Sequence, residues 1–555
     1  MSAYGTIGSS VRIRHVDFAR GSRMDAEDTA AMDGATSPSG PRRFGHVGGT
    51  VRVWRVLQAL LLVLVFGVIT VTVVIERPAS SVSSPDPATQ PQWARFYQQL
   101  VRWDSCHPEL RGSLAVQCAT VMAPLDWAAA DGATIMLHVV RHQATGGHRL
   151  GVLLMNPGGP GESAEHTAVT ASDMFGDEIA ASYDLIGWDP RGVGTSSAVQ
   201  CPPDAGGVTF SIDEVPTTPA QIAAYQKRWR ERGQACLATT GQLLRHVDTM
   251  STVRDLDLLR GVLADPHLNF YGASYGTLIG TLYAETFPTR VGRVVLDSPE
   301  DPSLDMAGWQ QGIARALDHG LTSYLLQCRH RPTCPFPGQT PAEAKTRIRH
   351  LLITAADHPL ATNPPLDQAD IYQAVRSNLV EPLSWANLDH TLAVALSVGT
   401  KPAPQAKPTE PTQPTTALAT AFDAITCLDR PDHRTLDQVH ADAVALDTAY
   451  PFGYLDGWSA ADCLLWPVPP VLTSHRVTAP GAAPILIIGT VNDPATSYEW
   501  ATSLTSQLTS SRLLTYTGDG HVATNRHNPC ISTAVKTYYL NATLPPAGTT
   551  CTPQF

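Results

Sequence analysis

Apolar positions along this chain follow two rhythms. Leu150–Met155 and Tyr183–Trp188 are short continuous apolar runs, His267–Tyr271 is a shorter one, and Val291–Leu296, Pro484–Ile488 and Ser511–Tyr516 read as further strands. Runs of this length, bounded by Gly, Pro, Asn and Asp, predict strands buried on both faces. Ala119–Leu125 and Thr134–Arg141 predict two earlier strands, after a lead-in over Trp93–Pro108. Met250–Leu263, Thr277–Phe287 and Thr496–Leu508 instead carry apolar residues at helical spacing. Strands alternating with helices predict an α/β fold, a mostly parallel sheet with helices on both faces.

One long stretch breaks this alternation. Between Leu296 and Pro484 lie helical patterns at Met306–Gln327, Pro341–Asp357, Leu366–Val380 and Leu388–Val398, and a Pro/Thr-rich loop, Lys401–Thr416. We read it as a mainly helical cap inserted over the C-terminal edge of the sheet, where ligands bind in open α/β folds. Val199–Leu244 reads as a smaller excursion on that side. The expected division is a core at 93–298 and 483–555, with the cap at 299–482 between its parts.

Ahead of the core the pattern changes again. Residues 1–55 are Gly/Ser/Arg-rich without apolar periodicity and predict a disordered cytoplasmic tail. Val56–Ile75 is apolar except for Gln58, Gly67, Thr70 and Thr72, long enough to span a bilayer. Arg42, Arg43, Arg52 and Arg55 precede it, which places the rest of the chain outside. Residues 76–92 are Pro/Ser-rich and read as a tether. The competing reading is a cleaved secretory signal. The length of the run and the lack of an Ala-x-Ala site favour a single-pass anchor in the cell membrane.

Charge and cysteines refine this picture. A net charge of −11 and no basic stripe argue against a nucleic-acid partner. The ten cysteines all follow the predicted span, which predicts disulfides in an oxidising compartment. Pairing neighbours in sequence gives Cys106–Cys118, Cys201–Cys236, Cys328–Cys334, Cys427–Cys463 and Cys530–Cys551. Zinc at Cys328-Arg-His330 and Cys334 is the alternative, but that spacing fits no usual ligand set.

The candidate chemistry sits at strand ends. Gly272-Ala-Ser274-Tyr-Gly276 joins a predicted strand directly to a predicted helix. Such a turn pushes the serine hydroxyl out at the top of a sheet. A serine nucleophile needs a base, commonly a histidine oriented by a carboxylate. In this kind of fold the acid and then the histidine follow the serine along the chain. Asp493 follows the strand Pro484–Ile488, and His521 follows Ser511–Tyr516. Asp297, also at a strand end, is the rival acid. Asp519 reads as turn chemistry and His527 as a weaker base candidate. For the oxyanion the expected donors are the N–H groups of Tyr275 and Gly159, with Gly158 as second choice; Pro157 and Pro160 have none.

Asn156-Pro-Gly-Gly-Pro-Gly161, Asp189-Pro-Arg-Gly-Val-Gly194, Gly272–Gly276, Asp493-Pro-Ala-Thr496 and Gly520-His521 together resemble the secreted tripeptidyl aminopeptidases of actinomycetes. Ala424-Ile-Thr-Cys427-Leu-Asp429 and Cys463-Leu-Leu-Trp466-Pro467 fit the C-terminal half of that family. The resemblance implies an α/β-hydrolase fold and a serine exopeptidase that releases short peptides from free N-termini. By motif Ser274 is the nucleophile, Asp493 the acid and His521 the base. A monomer needing no metal or organic cofactor is expected, with cap carboxylates meeting the substrate ammonium. A carboxylesterase or lipase-like enzyme with the same triad is the rival reading. Glu162 departs from the small residue general in the family. It reads either as a cap of the following helix, the preferred role, or as a carboxylate for the substrate's amino group.

Overall fold

The computed structural model describes residues 89–106, 110, 116–202, 218–399, 417–450 and 452–554. The predicted tail 1–55, the span 56–75, residues 76–88 of the tether and the loop 401–416 lie outside the described residues. Among the described residues no helix is long and apolar enough to cross a membrane.

The strands are β1 (Asp104–Ser105), β2 (Val116–Pro124), β3 (Thr134–His142), β4 (Gly151–Asn156), β5 (Tyr183–Trp188), β6 (Leu268–Ala273), β7 (Val291–Asp297), β8 (Ile485–Asn492), β9 (Ser511–Asp519) and β10 (Thr550–Cys551). They form one sheet in the order β1-β2-β3-β5-β4-β6-β7-β8-β9-β10. Pairing is antiparallel from β1 to β5. It is parallel from β5 through β10. The lead-in thus contributes β1, an edge partner of β2.

Side chains alternate across the pleat, so each central strand supplies two cores. Val152, Leu154, Ile186, Trp188, Ile485 and Ile487 join one buried cluster. Their neighbours Leu153, Met155, Leu185, Leu486 and Ile488 join the other. Covering the first face are α3 (Thr249–Val262) and α4 (Tyr275–Thr286), through Leu256, Leu259, Leu278 and Leu282. Covering the second are α1 (Glu165–Phe175) and α12 (Pro529–Asn541), through Ala171, Phe175, Val535 and Tyr539. This explains why the central strands β4 and β5 read as nearly unbroken apolar runs. Because β4 and β6 to β9 are parallel, the loops at their C-terminal ends share one edge.

The stretch between β7 and β8 is helical. Helices α5 (Met306–Cys328), α6 (Pro341–Asp357), α7 (Gln368–Leu379) and α8 (Trp385–Val398) share a core of their own, with Leu321, Ile348, Val375 and Leu388 buried together. Capping boxes at Thr340 and Asp367 start α6 and α7. Next come α9 (Ala417–Asp429) and α10 (Leu436–Ala449). Helix α2 (Pro219–Thr240) joins this side, since its Tyr225 and Trp229 pack with Met306 and Trp458. Helix α11 (Tyr498–Gln507) follows β8. All ten cysteines are paired, each with its neighbour in sequence.

Candidate active site

Helix α4 begins one residue after Ser274, which follows β6 directly. Ser274 adopts φ 54° and ψ −128°, a region that costs a non-glycine residue about 1–3 kcal/mol. Backbone bonds hold it there. Its N–H donates to the Asp297 carbonyl at 3.0 Å, and its carbonyl accepts from the Thr277 N–H at 2.9 Å. The flanking glycines are required by close approach. A Cβ on Gly272 would lie 2.4 Å from the Gly276 carbonyl oxygen, and one on Gly276 would lie 2.5 Å from that of Asn156.

Two neighbouring strand ends bring Asp493 and His521 together. His521 Nδ1 lies 3.0 Å and 2.9 Å from the two Asp493 carboxylate oxygens. Asp493 is buried, and it also accepts from the N–H groups of Ala495 and Thr496 at 2.8 and 2.9 Å and from the Thr496 hydroxyl at 3.1 Å. Burial works to raise its pKa, but His521 and these donors hold it below its ordinary value. Burial works to lower the His521 pKa. The charge and hydrogen bond of Asp493, with Asp297 and Glu162 adding, hold it above its ordinary value. With Nδ1 facing Asp493, Nε2 is the nitrogen left for a reacting proton. No hydrogen bond joins the Ser274 hydroxyl to His521 among the described residues. Such contacts often tighten only around bound substrate.

The loop after β4 lies against the elbow. A Cβ on Gly158 would sit 2.9 Å from the Ser274 Cβ and 3.1 Å from the Tyr275 nitrogen. The Gly158 N–H donates to Asn156 Oδ1 at 3.0 Å. Tyr275 is the first residue of α4, so its N–H has no acceptor within the helix.

Glu162 is not a helix cap. The N-cap of α1 is Ala164, without a side-chain cap bond. Glu162 is exposed to solvent, yet protein crowds its carboxyl. That crowding raises its pKa against the lowering pull of His521. Its charge therefore acts on His521 rather than on the helix.

No hydrogen bond joins Asp297 to His521 among the described residues. Its carboxylate accepts from the N–H groups of Ala523 and Thr524 at 3.1 and 2.9 Å and from the Thr524 hydroxyl at 2.8 Å. It pins the loop just after His521 to the end of β7. Nor does Asp519 serve its own turn. It accepts from Gln327 Nε2 at 2.6 Å, from Asn492 Nδ2 at 3.1 Å and from the Ser323 hydroxyl, tying β9 to α5. His527 is exposed, in a left-handed conformation.

The turn that follows α7 also holds the histidine turn. The His521 N–H donates to the Val380 carbonyl at 2.9 Å, and Arg526 pairs with Glu381 at 2.7 Å. Beneath the elbow, the Thr249 hydroxyl bonds both the Tyr275 hydroxyl and the Asp429 carboxylate. The Thr249 N–H donates to Asp429 Oδ1 at 2.8 Å. Burial pushes the Asp429 pKa up to about 7. Neither the Val380 contact nor the Thr249–Asp429 pair has a local sequence signal, because the partners are far apart in the chain.

The Asp189–Gly194 motif is a brace. Buried Arg191 meets both Asp255 oxygens at 2.7 Å and donates to the Pro124 carbonyl at 3.0 Å. Among the described residues, His138, Glu165 and Asp189 have ligand atoms within 4.8 Å of one another, close enough to hold a cation. The Asp189 oxygens already accept from the Ser163 hydroxyl at 2.7 Å and from the N–H groups of Ala164 and Thr195 at 3.0 and 2.8 Å.

Residues 449–551 match the family described as TAP-like protein. Over 491 residues the chain is 30% identical to Serine protease Hip1 of Mycobacterium tuberculosis, covering 82% of this chain and 91% of that one. The chain belongs to the TAP-like α/β-hydrolase family. Over 477 residues it is also 30% identical to Tripeptidyl aminopeptidase of Streptomyces coelicolor, covering 83% of this chain and 87% of the relative. It is 31% identical over 497 residues to Carboxylesterase B of Mycobacterium tuberculosis, covering 86% and 93%. These relatives are named for peptidases and an esterase, and hydrolysis is common to those names.

Proposed function

We propose that this TAP-like hydrolase is an extracytoplasmic serine exopeptidase that releases short peptides, tripeptides among them, from free N-termini. The contact between His521 Nδ1 and Asp493, at the sheet edge that also carries Ser274, is the observation that carries the reading. Ser274 Oγ attacks the scissile carbonyl carbon as His521 Nε2 takes its proton. The oxyanion accepts from the N–H groups of Tyr275 and Gly159. Gly159 is preferred over Gly158 because the Gly158 N–H is engaged by Asn156. The C–N bond breaks, and Nε2 returns the proton to the leaving amine. Water, deprotonated by the same imidazole, then attacks the acyl-serine and frees the peptide. Asp493 keeps Nδ1 protonated and stabilises the imidazolium throughout.

In this reading 93–298 and 483–555 form the catalytic core, 299–482 the cap, and 56–75 a single-pass membrane anchor. The paired cysteines support an oxidising location. The esterase reading draws on the similarity to Carboxylesterase B. A chromogenic panel separates them: free tripeptide anilides, their N-acetyl forms and short acyl esters, on wild type and Ser274→Ala. Cleavage of the free peptides alone is expected, and it disappears in Ser274→Ala. Preference for the esters overturns the peptidase reading, and activity surviving in Ser274→Ala overturns the nucleophile.

A further inference from the structure

Helix α9 reaches the oxyanion loop with one end and the elbow with the other. At its first turns, a Cβ on Gly161 would lie 2.8 Å from the Leu418 carbonyl oxygen, 3.1 Å from the Ala421 Cβ and 3.2 Å from the Phe422 nitrogen. Gly161 stands two residues after Gly159. The last residue of the helix, Asp429, is buried beneath the elbow. The residue after it, Arg430, pairs with buried Glu300. The Glu300 N–H donates to Thr277 Oγ1 at 3.0 Å, and the Thr277 hydroxyl donates to the Ser274 carbonyl at 2.5 Å. The Cys427–Cys463 disulfide fastens the same end of α9.

The link from Asp429 to Tyr275 runs through one hydroxyl. Thr249 Oγ1 lies 2.5 Å from the Tyr275 phenol oxygen and 2.5 Å from Asp429 Oδ2. The Thr249 N–H donates to Asp429 Oδ1 at 2.8 Å. A threonine hydroxyl has a single hydrogen. Donated to the Asp429 carboxylate, it leaves Oγ1 to accept from the Tyr275 O–H, and the chain is matched from end to end. Asp429, Thr249 and Tyr275 are all buried, so water offers no ready replacement. Tyr275 is also the residue whose N–H opens α4 without a helical acceptor. Anchoring its ring restrains the direction of that N–H. A reacting group misplaced by about 1 Å can cost about a hundredfold in rate.

We propose that Asp429 is a positioning residue: through Thr249 it holds the Tyr275 phenol and so aims the Tyr275 N–H at the oxyanion. Helix α9, in the proposed cap, is then part of the catalytic frame. Asp429 touches no reacting atom. Its effect is felt when the carbonyl oxygen gains charge, and ground-state binding does not draw on it. The inference rests on the Ser274 and oxyanion assignments of the proposed function. It holds whether the acyl group comes from a peptide or from an ester.

The test compares Asp429→Ala, Asp429→Asn and Tyr275→Phe in the full-length enzyme, on tri-alanine p-nitroanilide and p-nitrophenyl acetate. The trifluoromethyl ketone of each acyl group serves as probe. Ser274 Oγ adds to its carbonyl carbon, the serine proton passes to His521 Nε2, and the ketone oxygen becomes a hemiketal oxyanion. Asp429→Ala is expected to lower kcat by about tenfold to a hundredfold, with KM within about twofold, and to weaken the ketone by the same factor as kcat. Asp429→Asn still accepts from the Thr249 N–H, and its amide donates to Thr249 Oγ1, whose hydrogen then turns to Tyr275. It should keep kcat within about threefold of wild type. Tyr275→Phe removes only the phenol oxygen and should lower kcat by about tenfold; it decides the matter if Asp429→Ala melts early. Wild-type kcat in Tyr275→Phe and folded Asp429→Ala overturns the proposal. So does a fall in kcat that leaves ketone affinity unchanged, which would place the effect away from the oxyanion. Turnover surviving in Ser274→Ala sinks the nucleophile and this inference with it. Turnover of the ester alone sinks only the exopeptidase reading, and the ester series then decides the role of Asp429.

Discussion

At the sheet edge, each side chain proposed to react follows the end of a strand: Ser274 after β6, Asp493 after β8 and His521 after β9. In the helical region, the walls of one recess come from α2, α5, α9 and the short helix Gly453–Trp458. The edge is heavily braced, although among the described residues Asn156 Nδ2 and Thr490 Oγ1 there are buried without a partner. Asp493 uses both oxygens, Asp297 holds the loop after His521, and Thr277 holds Ser274. The recess instead leaves indole N–H groups and an aspartate oxygen unmatched. A site that does chemistry gains from prepaid order, because donors already in place need not reorganise during reaction. The two regions touch at Val380, Glu381 and α9.

Four substitutions test this division, beginning with the largest effect. Asp493→Asn should lower kcat/KM by about ten-thousand-fold for any substrate the enzyme cleaves, because His521 loses its orienting charge. A loss under about tenfold would give the acid's role to another group. Asp297→Asn should cost only about tenfold in kcat/KM but should lower the melting temperature, since a charged acceptor of two N–H groups is worth about 1.5–3 kcal/mol. If it matches Asp493→Asn, the brace and the acid are not distinct. Glu381→Gln removes the half-exposed partner of Arg526. Exposed pairs are worth about 0.2–1 kcal/mol, so kcat/KM should fall no more than about fivefold with the melting point nearly unchanged. Glu162→Gln should leave maximal rate close to wild type and move only the pH profile. The Glu162 charge raises the His521 pKa, so its removal lowers that pKa. The acid limb of kcat/KM then shifts to lower pH. A shift to higher pH, or none, contradicts the field assigned to this residue.

The same contrast governs what could be read from sequence. Parallel strands buried on both faces give short apolar runs, and a strand end is marked by its next few residues. The elbow, the Asp493 turn and Gly520-His521 were visible for that reason, as were neighbouring cysteine pairs. Glu162 was misread because its place is set by the turn of the oxyanion loop and not by the helix it precedes. Asp519 was misread because its partners, Ser323 and Gln327, lie on a helix far back in the chain. Thr249 and Asp429 are separated by 180 positions, and no local pattern links them. The recess drew on the same kind of distant contact, so only the expectation of acidic groups in the cap came near it.

The central claim is that the His521–Asp493 pair activates the Ser274 hydroxyl. Its direct test is the rate of covalent labelling by a fluorophosphonate, with the adduct located by mass spectrometry. Wild type should carry a single adduct on Ser274. In folded His521→Ala, labelling should slow by at least about a hundredfold. An adduct on another residue, or equal labelling rates in wild type and His521→Ala, would contradict the account.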